Sequence, residues 1–188
     1  MLARAVILAK LKQVLDPERF EHSLRVEASA LKLAEKHHVP AGKVSLAALL
    51  HDYARQYSRQ ELLEQAKKYR LAIDPVAEFE PKLLHAELSA LLAKKDFQVS
   101  DKAILEAIKK HTLGSPGMSK LEKIIYLADH IEEGRDFAGV KRVRQLAVKD
   151  LDRAIAESAG QMLKYLLAKG LPIHPLTVQT RNYYLIRS

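Results

Sequence analysis

Six side chains in this sequence can each offer a lone pair to a cation: His22, the adjacent pair His51-Asp52, His85, His111 and Asp129. Four of them lie within or at the end of apolar runs of helical period, where polar side chains are normally excluded. A bound metal ion accounts for all six together. Cysteine is absent, so disulfides and thiolate sites are excluded and any ligands are nitrogen and oxygen. Imidazole with carboxylate suits iron, manganese, cobalt or zinc better than calcium or magnesium, which prefer oxygen. The set is large enough for one ion or two. Asp52 is the candidate for a ligand shared between two.

The members carry different weight. His51-Asp52 follows Leu49-Leu50. Adjacent residues on a helix diverge by about 100°, so both reach one ion only at a helix end or bend. An Asp is also unfavourable at the negative end of the helix dipole. Asp129 follows Ile124-Ile125-Tyr126-Leu127-Ala128. Ionised beside an apolar face, it needs a cation, hydrogen bonds or an altered pKa. His85 sits among Leu84, Leu88 and Leu92, and His111 ends a face of Ile104, Ala107 and Ile108. For these two, a hydrogen-bonded core histidine is the competing reading. For His22 it is an exposed histidine, with Arg25 one turn further along the same face.

Helices must position these groups. Only 7 Gly and 7 Pro occur in 188 residues, and aromatics make up 6%. That favours an all-α protein with a core of Leu, Ala, Ile and Val. The length suggests one domain, residues 1–188, that buries about 70% of its unfolded surface. A first helix is expected at about 1–15. A second runs from about Pro17 to Lys36, with Asp16 as its cap. A buried third spans about Ala41 to Tyr53 and carries His51-Asp52 at its end. Ser58 opens a helix to about Tyr69 through a capping box with Glu61. A loop through Asp74-Pro75 follows. Further helices start at Pro81, at Ser100-Asp101 and after Ser119, carrying His85, His111 and Asp129. A long one spans about Leu151 to Lys169, closed by Gly170. The tail, about 171–188, is expected to be a loop and a short final helix packed on the domain.

Net charge is +8, which points to an anionic partner. The cations are dispersed, densest at Lys67-Lys68-Tyr69-Arg70 and Lys141-Arg142-Val143-Arg144. No segment approaches the roughly 20 apolar residues that span a bilayer. The apolar stretch near the N-terminus is shorter than the ~7–15 residues of a signal sequence. A cytoplasmic protein without membrane contact is the expectation.

The order His22, His51-Asp52, Asp129 resembles the HD-domain metal-dependent phosphohydrolases. Longer segments narrow the resemblance: HSLRV from His22, LLHDYAR around His51-Asp52, HAELSA from His85, KKHTLGSPGMSKLEKIIYLADHIEEGR from Lys109 and HPLTVQTRNYY from His174. They look like the YqeK-like symmetrical bis(5'-nucleosyl)-tetraphosphatases, over about residues 15–186. The resemblance implies an HD-domain helical bundle that cleaves diadenosine tetraphosphate symmetrically into two ADP. It implies that His22, His51, Asp52 and Asp129 bind metal, iron first, with manganese or cobalt as alternatives. His85 and His111 would bind a second ion or substrate phosphates, and the sequence leaves these two open. Asp52, His85, His111 and Asp129 form the expected catalytic set. Two positions depart from the pattern. Arg55 stands where the wider group often has Lys, and Glu133-Gly134 replaces a Pro-containing version before Arg135. Both concern substrate positioning.

The residues themselves fit hydrolysis of a phosphoanhydride. A transition metal lowers the pKa of its water and polarises a phosphoryl oxygen. Neither a nucleophile elbow nor a glycine-rich phosphate loop is present. Arg25 and Arg135 are candidates to neutralise the tetraphosphate, with the Thr112 hydroxyl nearby. His174, Thr177 and Gln179 are candidates to meet ribose or base. The expected partner is a dinucleoside polyphosphate; a homodimer stays open. Two alternatives are another HD-type nucleotidase or phosphodiesterase, and a non-enzymatic basic protein that binds nucleic acid. The last has no need of His51-Asp52 and Asp129 in apolar helices.

Overall fold

A computed structural model describes residues 3–187, and no strand occurs among them. Eleven α-helices follow in order: α1 Arg4–Val14, α2 Pro17–His37, α3 Ala41–Leu50, α4 Arg59–Lys68, α5 Pro75–Phe79, α6 His85–Asp96, α7 Lys102–Lys110, α8 Lys120–Ile131, α9 Val140–Lys149, α10 Leu151–Ala168 and α11 Pro175–Arg187. Short 3-10 segments at Tyr53–Gln56 and Pro81–Leu84 precede α4 and α6.

The starts are set by side-chain caps that satisfy otherwise unpaired N–H groups. Asp16 accepts from Arg19 N at 2.8 Å, with Pro17 in the first turn of α2. Ser58 with Glu61, and Ser119 with Glu122, form complete capping boxes on α4 and α8. α2 ends where His38 turns into the left-handed region, φ 57°.

α3 is the centre. Val44 and the run Leu46-Ala47-Ala48-Leu49-Leu50 are all buried, as expected of a helix surrounded by others. α2, α7 and α8 pack around it. α8 buries Ile124, Ile125, Tyr126, Leu127 and Ala128. α6 lies against α7, and α10 lies against α8, α9 and α11.

The expected third helix, to Tyr53, is corrected. The α-helix stops at Leu50, and Asp52 adopts φ −105°, ψ 15° before the 3-10 segment begins. This bend brings the His51 and Asp52 side chains to the same side. The helix expected from Pro81 begins as a 3-10 turn and becomes α-helical at His85. α5 and α9 go beyond the elements expected. Asp74 caps α5 through Val76 N and Ala77 N, so the Asp-Pro read as a loop is a helix start. α9 buries Val140, Val143 and Ala147 at helical spacing beneath a dense set of cations. The final helix is 13 residues long. None of these helices is long and apolar enough to cross a membrane among the described residues.

Candidate metal centre

Four histidines converge on one buried point, and three of them are placed by the same device. His51 and His111 occupy the residue after α3 and α7, and His85 the residue after the Pro81–Leu84 turn. Helix ends leave carbonyls without intrahelical partners. Each ring bonds the carbonyl three residues back in the last turn: His51 Nδ1 meets Ala48 O at 2.6 Å, His111 Nδ1 meets Ile108 O at 2.7 Å, and His85 Nδ1 meets Lys82 O. A carbonyl only accepts, so Nδ1 carries the proton in the neutral ring and Nε2 presents a lone pair. His22 lies inside α2 and meets a carboxylate instead: its Nδ1 is 3.2 Å from Glu132 Oε1.

Asp52 stands between the four Nε2 atoms. Its Oδ1 is 3.0 Å from His85 Nε2 and 3.7 Å from His111 Nε2. Its Oδ2 is 3.6 Å from His51 Nε2 and 3.7 Å from His22 Nε2. Asp129 closes the second half, with Oδ1 3.1 Å from His22 Nε2 and 3.9 Å from His51 Nε2. His22, His51, His85, His111 and Asp52 are buried. All six sequence-derived ligands are therefore brought together.

The arrangement fits a cation. His85 Nε2 and His111 Nε2 are 2.9 Å apart, lone pair against lone pair in the neutral rings. His22 Nε2 and His51 Nε2 are buried without a hydrogen-bond partner, beside carboxylates that can only accept. Buried acceptors facing acceptors are costly unless a positive charge lies between them. Two ligand groups have atoms within 4.8 Å of one another: His22, His51 and Asp129, and His51, Asp52 and His111. Nitrogen and carboxylate oxygen at these positions suit a first-row transition metal.

Titration follows from the same neighbours. Burial depresses His51 from 6.5 to about 4, against the pull of Asp52. Burial alone would raise Asp52. The neighbouring imidazoles, His51 first and then His111 and His85, hold it well below the usual carboxylate range. Asp129 is likewise held low against its burial, by His22 and then His51. For His111, burial lowers the pKa, but Asp52 outweighs it and the net shift is upward.

Three arginines rim the centre. Arg135 reaches Asp129 through Nη2 to Oδ1 at 2.8 Å and Nε to the backbone oxygen at 3.0 Å. Arg25 is seated on Glu132, Nε to Oε2 at 2.7 Å. Arg19, absent from the sequence-derived set, donates from Nη1 to Asp52 Oδ2 at 2.8 Å. Glu132 was also absent from that set. Helical spacing carried both signals: Arg19 is one turn before His22, and Glu132 one turn after Asp129.

Thr112 Oγ1 lies 3.1 Å from His111 Nε2 and 3.3 Å from His85 Nε2. It opens a groove of about 280 Å³ shared with Lys110, Gly114, Asp74 and His174. His174 Nε2 is 2.9 Å from Asp74 Oδ2, and Thr177 lines an adjoining hollow with Thr112. Gln179 is exposed on α11 and is not among the residues lining either space. On the Asp129 side lies a larger cavity of about 650 Å³, lined by His130, Arg135, Phe137, Met162 and Tyr165.

Comparison with known proteins gives consistent matches. The HD domain model matches residues 19–134. The chain is 37% identical over 180 residues to the symmetrical bis(5'-nucleosyl)-tetraphosphatase of Bacillus subtilis (strain 168), covering 96% of each. It is 37% identical over 183 residues to the protein of the same name from Halalkalibacterium halodurans, covering 97% of each. It is also similar to the crystal structure of a predicted HD superfamily hydrolase involved in NAD metabolism from Clostridium acetobutylicum. There the TM-score is 0.95 at 35% identity, with 100% of both chains covered.

Proposed function

The chain belongs to the HD domain family, and from that premise we propose that it hydrolyses dinucleoside tetraphosphates at the middle of the phosphate chain, turning diadenosine tetraphosphate into two ADP. The relatives covered almost end to end bear the name of this activity. The observation that carries the reading in this chain is the position of Asp52, with one oxygen facing His85 and His111 and the other facing His22 and His51.

His22, His51, Asp52 and Asp129 would hold one ion, and His85, His111 and Asp52 a second. Iron leads the candidates, then manganese or cobalt. When bound, such ions supply Lewis acidity and a nucleophile usable near neutral pH.

The remaining work falls to the chain. The helix-end carbonyls and Glu132 fix the protonated nitrogen of every ring, so that Nε2 faces inward. Arg19 and Arg135 reach the centre from opposite carboxylates, Asp52 and Asp129. Both can turn a planar guanidinium toward phosphate oxygens. Thr112 offers a hydroxyl at the other end of the row. In phosphoryl transfer, alignment and charge neutralisation dominate.

The spaces on the two sides suit a substrate with a nucleoside at each end. The Thr112–His174 groove meets the centre at Thr112, which touches His85 and His111, and the Phe137–Tyr165 cavity meets it at Arg135, which touches Asp129. Aromatic and apolar walls accept a base, and His174 and Thr177 lie where ribose would be met. A phosphate chain running between them passes the ligand cluster at its middle. A cytoplasmic location follows from such a substrate.

The test is a panel at equal concentrations: diadenosine tetraphosphate, diadenosine triphosphate, ATP, AMP and cyclic AMP. Protein stripped with chelator and reloaded with Fe²⁺, Mn²⁺ or Co²⁺ is expected to prefer the tetraphosphate. Preference for a mononucleotide or cyclic nucleotide would favour a different HD-type reaction.

A further inference from the structure

His22 is the exception among the four histidines, and its environment has been built differently. Its helix runs on to His37, so it has no free helix-end carbonyl. The carbonyl three residues back, Arg19 O, already accepts from Ser23 Oγ at 3.0 Å. The partner of His22 Nδ1 comes from another helix end: Glu132, the residue that follows α8.

Glu132 is 2% exposed and is held at several points. Arg25 Nε donates to Oε2 at 2.7 Å and Gly134 N to the same oxygen at 2.6 Å. That leaves Oε1 for His22. Gly134 is small for a reason. A Cβ there would stand 2.9 Å from Arg25 Nε and 3.1 Å from Glu132 Oε2. With Arg25 and Gly134 both donating to Oε2, the group meets His22 as a carboxylate.

We propose that Glu132 positions His22, fixing the proton on Nδ1 and aiming an electron-rich Nε2 at the centre, with Arg25 and Gly134 holding the carboxylate for that purpose. The inference rests on the metal-binding reading above. An imidazole backed by a carboxylate is a more basic ligand than one backed by a carbonyl. Glu132 thus strengthens the His22–His51–Asp129 half selectively. Arg25, expected from sequence to meet phosphate, has its Nε on this carboxylate.

The experiment titrates chelator-stripped protein with Co²⁺ alone, read by the visible absorption of bound ion and by competition with a chromophoric chelator. E132Q is expected to weaken the tighter site by about 10- to 100-fold and to change its spectrum, with the helical circular dichroism retained. In the H22A background, adding E132Q is expected to cost nothing further. Equal Co²⁺ affinity for E132Q and wild type overturns the proposal, as does a loss that adds fully to that of H22A. Should E132Q not fold, R25M decides. It frees the carboxylate from Arg25 and keeps every donor atom of the centre, so the tighter site is expected to lose affinity, up to that 10- to 100-fold range; unchanged affinity overturns it. A wild-type chain that takes up no Co²⁺ overturns both this inference and the reading beneath it. A wild type that binds beside an E132Q that binds as tightly overturns this inference alone.

Discussion

The Nε2 atoms of His85 and His111 stand 2.9 Å apart, with Asp52 Oδ1 3.0 Å from the first. Two neutral rings with Nδ1 protons committed to backbone carbonyls have no hydrogen to place between those nitrogens. This pair marks the half of the site that the sequence left open between metal and phosphate.

His111→Ala separates the two roles. If His85 and His111 hold a second ion, metal titration of this variant loses one ion per chain while the tighter one stays. Asp52→Ala, which serves both halves, is expected to lose both ions and to reduce turnover by more than about 100-fold, with the helical fold retained. A His111→Ala chain that keeps the full metal complement would return His111 to phosphate binding.

Metal-free protein is expected to lose stability between pH 6.5 and about 4 through His51, whose folded pKa is depressed to about 4. The sign follows from the proton balance. Below 6.5 the unfolded imidazole takes a proton that the buried ring refuses, so stability present above 6.5 drains away as pH falls and is gone below the folded value. A depression of this size corresponds to about 3 kcal/mol. His111, raised by Asp52, acts above this window: its contribution is complete below 6.5 and is lost as pH rises through its folded value. Urea unfolding of His51→Gln across this range is expected to show a flatter pH dependence. A slope equal to that of wild type would contradict it.

The loop after α7 depends on Gly114. Its φ is +70°, and a Cβ there would lie 2.5 Å from Thr180 Cγ2. Thr180 Oγ1 donates to Leu113 O at 3.1 Å, tying α11 to the segment that carries Thr112. Gly114→Ala is expected to cost about 1–3 kcal/mol from strain and collision, lowering Tm by roughly 2–10 °C. KM should rise through displacement of Thr112. An unchanged Tm would mean that the loop and α11 are not locked together.

The candidate ligands were legible because they break local rules. His51-Asp52 interrupts an apolar run, and Asp129 sits where a helix face should be apolar. The caps at Asp16, Ser58 and Ser119 were legible for the same reason: their chemistry is local. Glu132 and Arg19 left only their helical spacing from Asp129 and His22 as a signal, because their partners are distant along the chain. Glu132 meets His22 across 110 positions and Arg19 meets Asp52 across 33. The bend at Asp52 was foreshadowed by the need for both side chains to reach one point, yet the apolar period alone carried the helix three residues too far. The Glu132 partner of Arg25 was hidden because charge can be seen in a sequence and its partner cannot. α9 was hidden by its cations, which obscured the Val140, Val143 and Ala147 face.

The central claim is that this helical cage holds metal to split a tetraphosphate at its midpoint. The most direct test is the product ratio when the reloaded protein meets diadenosine tetraphosphate, followed by chromatography from the first turnovers. ADP alone, two per substrate consumed and abolished by chelator, is the predicted result. ATP and AMP in equal amounts, or ADP formation that persists without metal, would contradict it.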